Sequence, residues 1–233
     1  MMKTNESKRT YLAFDVDGTI YDASAFGIEA FRMGLDEASR VLGISGMKIP
    51  TREEIISKIG RTTEEIYGSF FSQLNEGQVK IVGDCCTASF VRLIRERQGK
   101  LIDGVEEVLP RLKAAGYPFL TASNGRREYV RAIFETHNLT DFFDEASLYC
   151  EGDIENKIQI LARYKKALSA DDLIIMIGDR TPDKQAAKEN DIPFIGCAFG
   201  LAAEEVSGEP FAAKTFFDLP ALINKIEKEY ERG

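Results

Sequence analysis

Two apolar runs in this chain stop abruptly on pairs of aspartates. "YLAFDVDGTIYD", residues 11–22, passes from Phe14 into Asp15 and Asp17, with Gly18 and Thr19 directly behind. "LIIMIGDRTPD", residues 173–183, does the same with Asp179 and then Asp183. Asp15 and Asp17 are two positions apart, so in extended chain their side chains share one face. Carboxylates brought to one point repel, and a hard divalent cation with oxygen ligands is the natural counter-charge; Mg²⁺ fits best. Plainer readings stand beside this one. Asp17-Gly18 is also ordinary turn chemistry. With Thr181 as N-cap and Pro182 at N1, Asp183 also suits the positive end of a helix. A calcium-binding loop of the EF-hand kind is excluded, because its glycine falls at the sixth position and here it is the fourth.

The elements that would position these acids follow from the hydrophobic pattern. Short apolar runs lie at 11–14, 117–122, 173–178 and 193–198, and helical patterns at 126–137, 156–168 and 182–190. Strands alternating with helices predict an α/β fold, a parallel sheet covered on both faces. In such sheets ligands gather at the carboxyl ends of the strands, where both acidic pairs stand. The first crossover is anomalous: a β-α-β unit takes roughly 30 residues, yet about a hundred separate the first two strands. The intervening stretch reads as helix, with capping boxes at Thr51/Glu54 and Thr62/Glu65 and a helical stripe over 78–97. We therefore expect a discontinuous core, 1–22 and 100–233, and an inserted helical domain, 23–99. "DLPALINKIEKEYERG" reads as a closing helix, capped by Asp218 with Pro220 in its first turn.

Composition narrows the function classes. The 233 residues carry a formal charge of −8, which disfavours a nucleic-acid backbone as partner. One local cation can still reverse the sign of a site, so a small phosphorylated molecule remains compatible. The start of the chain, "MMKTNESKRT", lacks the apolar stretch of a secretory signal, and no segment nears the ~20 apolar residues that span a bilayer. Cys85, Cys86, Cys150 and Cys197 show no C-x-x-C spacing and read as reduced, mostly buried thiols. The expected location is cytoplasmic.

"FDVDGTIYD", then "FLTASNG", then a lysine, then "IGDRTPD" resembles, in order, the motifs of the haloacid dehalogenase superfamily of phosphotransferases. The likeness covers 11–22 and 100–217, and the inserted helices look like that family's cap. It implies a Rossmann-like core and a Mg²⁺-dependent phosphatase acting through an aspartyl-phosphate. Asp15 would be the nucleophile and Asp17 the general acid, then base. Ser123 would hydrogen-bond the transferring phosphoryl group, and Lys157 would hold nucleophile and phosphoryl oxygens together. Asp15, the backbone carbonyl of Asp17, Asp179 and Asp183 would bind the cation. Gly18, Thr19, Asn124 and Gly125 would line the phosphate site.

An aspartate at position 17 implies transfer from a phosphate ester, since the phosphonate hydrolases and dehalogenases of the superfamily lack it. Phosphomutases resembling β-phosphoglucomutase carry a cap histidine where this chain has Gly27, which favours water as acceptor. His137, the only histidine, reads as a surface or capping residue. Specificity belongs to the cap. Arg61, in "KIGRTTEEIY", either reads a second anion on the substrate or is simply solvated. Tyr21 and Phe26 are expected in the pocket wall, and Phe70, Phe71 and Phe90 in the core. Arg180 either reaches the site or pairs with an acid. The expected partner is a small phosphorylated metabolite (phosphoglycolate, a sugar phosphate or a nucleoside monophosphate), with no nucleic acid and no membrane, the chain acting as monomer or homodimer. A phosphomutase and a non-catalytic binding or regulatory protein of the same fold are the alternatives.

Overall fold

The computed structural model describes residues 8–143 and 147–231. The polar start of the chain, residues 1–7, lies outside them. Strands β4 (Phe119–Thr121), β1 (Thr10–Phe14), β5 (Leu173–Gly178), β6 (Phe194–Cys197) and β7 (Ala212–Ala213) lie side by side in that order, all parallel. The four apolar runs read from the sequence are four of these strands; β7, of two residues, is too short to carry a pattern.

Alternation along β1 decides the two faces. Leu12 and Phe14 join Ile175 and Ile177 in one core, under helices α5 (Val105–Ala114), α6 (Arg127–Thr136) and α9 (Leu219–Tyr230). Ala13 points the other way, with Met176, toward α7 (Lys157–Ala167) and α8 (Thr181–Glu189). Both faces are covered, as a parallel sheet requires.

Helices α1 (Gly27–Leu42), α2 (Arg52–Ile56), α3 (Thr63–Phe70) and α4 (Glu76–Arg95) form the cap, with a core of their own around Phe31, Leu35, Tyr67, Val82 and Cys86. The chain enters and leaves this layer through a two-stranded antiparallel ribbon, β2 (Tyr21–Asp22) with β3 (Lys100–Leu101). Both expected capping boxes are made, and Asn75 with Gln78 makes a third on α4. Phe70 and Phe71 pack in the cap core, as read.

Several local expectations shift. Arg180, not Thr181, is the N-cap of α8, and the Asp183 carboxylate reaches back to accept its N–H at 2.9 Å. Asp218 precedes α9 but caps the short 3₁₀ turn before it, accepting from the N–H groups of Lys214 and Thr215. Tyr21 and Phe26 lie buried in the main core. The Tyr21 hydroxyl donates to the Gln98 carbonyl across the ribbon's base. His137 ends α6, half-buried beside that ring. All four cysteines are free, Cys86 and Cys197 fully buried. Among the described residues no helix is long and apolar enough to cross a membrane.

The tightest joint in the cap is α1 on α4. A Cβ at Gly34 would sit 2.4 Å from the Cys86 Cα, so backbone must move to admit one. Gly34→Ala should destabilise by about 1–2 kcal/mol net of its helix-propensity gain and lower Tm by roughly 2–8 °C. Gly68→Ala, in α3 with open space around it, should hold or raise Tm; thermal denaturation of the two variants separates packing from propensity.

Candidate active site

The strand order places the acids. β1 is flanked by β4 and β5, so the residues following these three strands meet at one edge of the sheet. Asp15 and Asp17 arrive from β1, Ser123 and Asn124 from β4, and Asp179 and Asp183 from β5 and the first turn of α8. Single carboxylate oxygens of Asp15, Asp179 and Asp183 lie within 4.8 Å of one another, and all three residues are buried. Gly18 makes that approach feasible: its φ is +78°, and a Cβ there would stand 2.2 Å from Asp179 Oδ2. The Asp179 Oδ2 is also fixed by the Leu201 N–H at 2.8 Å.

Lys157, the first residue of α7, sends its ammonium into this cluster. Nζ lies 2.9 Å from Asp15 Oδ1 and also bonds Asp183 Oδ1, with the side chain 1% exposed. Burial alone would depress the ammonium's pKa, but the two carboxylates outweigh it and hold the lysine charged. One cation against three carboxylates leaves the site under-neutralised. Burial, then the charges of Asp183 and Asp15, push Asp179 up to about 8. Burial and the Asp15 charge raise Asp183 to about 6 against the pull of Lys157. Asp15 is raised by burial, with Lys157 opposing. Two buried oxygens, Asp15 Oδ2 and Asp179 Oδ1, have no hydrogen-bond partner. Unpartnered buried carboxylate oxygens on three converging acids suit a hard divalent cation, which would supply the missing charge and partners together.

The Asp17 carboxylate stands apart from that cluster. Its Oδ1 accepts from the Tyr129 hydroxyl at 2.5 Å, and burial raises it to about 6 although that bond lowers it. Asp15, Asp17, Ser123, Asn124 and Gly125 form the floor of a pocket between core and cap. Ser123 Oγ accepts the Gly125 N–H at 3.1 Å. Asn124 is spent on structure: Oδ1 accepts the Lys157 N–H and Nδ2 donates to the Gly60 carbonyl, both at 2.7 Å. Gly18 and Thr19 lie beneath the floor and do not line the pocket, nor does Tyr21. Arg61 lines the pocket but is exposed.

Three core side chains bind the cap in place. Asn124 holds Gly60. Arg180 donates to the Ile56 carbonyl at 2.8 Å while pairing with Glu205 at 3.0 Å. Arg126 pairs with Glu64 on α3 at 3.0 Å and with Asp84 on α4. Sequence reasoning left Arg180 open and missed Arg126 and Tyr129. Phe90, read as core, lines the pocket together with Phe31. Tyr129 sits two positions into α6 just past "SNG", and that proximity was the available signal.

Residues 12–197 match the haloacid dehalogenase-like hydrolase family. A curated relative, the probable phosphatase IndB of Dickeya dadantii (strain 3937), is 25% identical over 193 residues, covering 81% of this chain and 80% of that one. The crystal structure of a predicted phosphatase from Clostridium acetobutylicum superposes with a TM-score of 0.75 at 23% identity, over 94% of this chain and all of that one. A predicted phosphoglycolate phosphatase from Haemophilus somnus 129pt gives 0.73 at 18% identity, over 94% and 99%. These two likenesses speak for the fold, while the family match spans most of the chain and takes in both acidic strand ends. The chain belongs to the haloacid dehalogenase-like hydrolase family.

Proposed function

We propose that the chain is a Mg²⁺-dependent phosphatase that hydrolyses a small phosphate monoester through a phosphoryl group carried on Asp15. The observation that carries this reading is the meeting of Asp15, Asp179, Asp183 and Lys157 beneath a pocket whose floor also holds Asp17 and Ser123. A bare cluster of acids would explain none of the pocket, and a bare pocket none of the charge.

An Asp15 carboxylate oxygen attacks phosphorus as the ester P–O bond breaks, and the departing alkoxide takes the Asp17 proton. A water then attacks the acyl phosphate, giving its proton back to Asp17, and inorganic phosphate leaves Asp15. Splitting the transfer in two lowers each barrier. An acid held near 6 is suited to both proton transfers near neutrality. Tyr129 keeps the Asp17 carboxyl aimed at the pocket. Lys157 fixes Asp15 and offsets charge on the phosphoryl oxygens, and the Ser123 hydroxyl is placed to donate to one of them. Asp15, Asp179 and Asp183 would hold Mg²⁺, which when bound stabilises the phosphoryl oxygens as a Lewis acid. No histidine lines the pocket among the described residues, which favours water as acceptor. Residues 23–99 serve as the cap that shuts out bulk water.

Phosphate release from p-nitrophenyl phosphate should require Mg²⁺, stop with a chelator and return when the metal is restored. Asp15→Asn should cut kcat by about 10⁴-fold or more with folding intact, the scale on which an acting nucleophile is lost. Retention of activity by that variant would remove the proposed chemistry.

Tyr129→Phe should lower kcat by roughly 10- to 150-fold, the worth of one hydrogen bond to a charged group. It should leave KM within about twofold and cap stability unchanged, because the lost contact holds the acid and not the cap. Steady-state kinetics beside a melting curve check it; a change confined to KM would assign the hydroxyl to substrate binding.

A further inference from the structure

The walls of the pocket bear on what the ester carries beyond its phosphate. Above the polar floor, the cap contributes Ile28, Phe31, Ile55, Ile59, Ile66 and Phe90. These come from α1, the α2 region, α3 and α4, so apolar lining continues around the opening. Ile28 is 43% exposed although it faces this space, an apolar side chain left without cover.

The polar groups nearest the floor are already committed. Arg126 is shared between Asp84 and Glu64, and both polar ends of the Asn124 amide are engaged. The Tyr129 hydroxyl serves Asp17, and Lys157 serves Asp15 and Asp183. Ser24, Thr63 and Thr87 remain as scattered hydroxyls, beside that of the buried Tyr67. Arg52 and Arg61 line the pocket but are exposed. In a chain of net charge −8 they are suited to drawing a dianionic phosphate toward the opening, and being solvated they require no second anion. A sugar ring among these walls would lose water and gain few hydrogen bonds. A hydrocarbon would lose only water it binds poorly.

We propose that the alcohol half of the substrate is apolar: the chain hydrolyses the phosphate monoester of an alkyl or aryl alcohol, its hydrocarbon packed among Ile28, Phe31, Ile55, Ile59, Ile66 and Phe90. The inference rests on the phosphatase reading of the same site, and water, ester, alcohol and inorganic phosphate balance as before.

The test uses the full chain with Mg²⁺ and unactivated primary alkyl phosphates from ethyl to hexyl, beside phosphoglycolate, glucose 6-phosphate and AMP. The alkyl series holds the leaving-group chemistry nearly constant, so differences in kcat/KM report the walls. kcat/KM should rise by about 100-fold or more from ethyl to hexyl, since burying each of the four added methylenes is worth roughly fourfold. Hexyl phosphate should exceed all three polar esters. Ile28→Asn, at a half-exposed position that tolerates a polar side chain, should reduce the hexyl-to-ethyl ratio by about tenfold. Val41→Asn, exposed on the same helix but outside the pocket, should leave the ratio unchanged. A flat alkyl series, or a polar ester turned over faster than hexyl phosphate, would overturn the inference while sparing the phosphatase reading. Failure of every ester, p-nitrophenyl phosphate included, would sink both.

Discussion

The fold is arranged around an electrostatic difficulty: three buried carboxylates converge, and the single ammonium among them bonds only two. In water such a group would spread apart or be screened. Here the sheet forbids spreading, because β1 lies between β4 and β5 and each strand ends where its neighbour does. Burial forbids screening, and raises Asp179 and Asp183 far above ordinary carboxylates. The missing positive charge is therefore a property of the backbone topology before it is a property of any side chain. Lys157 meets part of it from the opposite face, entering at the start of α7. The remainder is the physical case for a bound divalent cation, and it would hold even without a known relative.

The same economy governs the cap. Cap and core meet over the acids, and the ties between them use backbone carbonyls and charged pairs at the pocket's edge: Asn124 to Gly60, Arg180 to Ile56, Arg126 to Glu64 and Asp84. These ties come from residues adjoining the site, two positions or fewer from Ser123, Asn124 or Asp179. A shift of the cap is thus coupled directly to the segments that carry the chemistry. It also follows that the polar capacity of this boundary goes to holding the two layers together, which leaves the enclosed walls apolar.

What could be read from the sequence was whatever strand alternation and abrupt polarity changes record. "YLAFDVD" and "LIIMIGD" declare buried strands ending in acid, and a sheet edge with a counter-charge accounts for both at once. Lys157 was legible from the order of the family's motifs, and its place at a helix start resists a dipole explanation. Helix rotation and ring direction were not legible. Tyr21 follows the acidic motif so closely that a pocket position looked natural, yet the β2–β3 ribbon turns its ring into the core. Phe90 belongs to a helical stripe, and which part of that stripe meets the cavity depends on how α4 lies across α1 and α6. The same holds for Tyr129, whose role depends on α6 aiming one hydroxyl at Asp17. Arg126 needed partners 42 and 62 residues away, a separation that no local pattern encodes.

The contrast between floor and walls is what makes the arrangement coherent. Charge interactions strengthen as the surrounding dielectric falls, so an ammonium or a bound cation acts most strongly on a phosphoryl group if its surroundings are dry. Isoleucines and phenylalanines above the acids supply that dryness without adding dipoles that would compete for the phosphate. Dry walls also raise the cost of the carboxylates themselves, which is why the ammonium, the Leu201 N–H and the Arg180 N–H must all point inward. The two halves constrain each other: a wetter cap would ease the crowding of acids and weaken their effect on phosphorus, and a less acidic floor would leave an apolar cavity with no reason to hold an ester at its base.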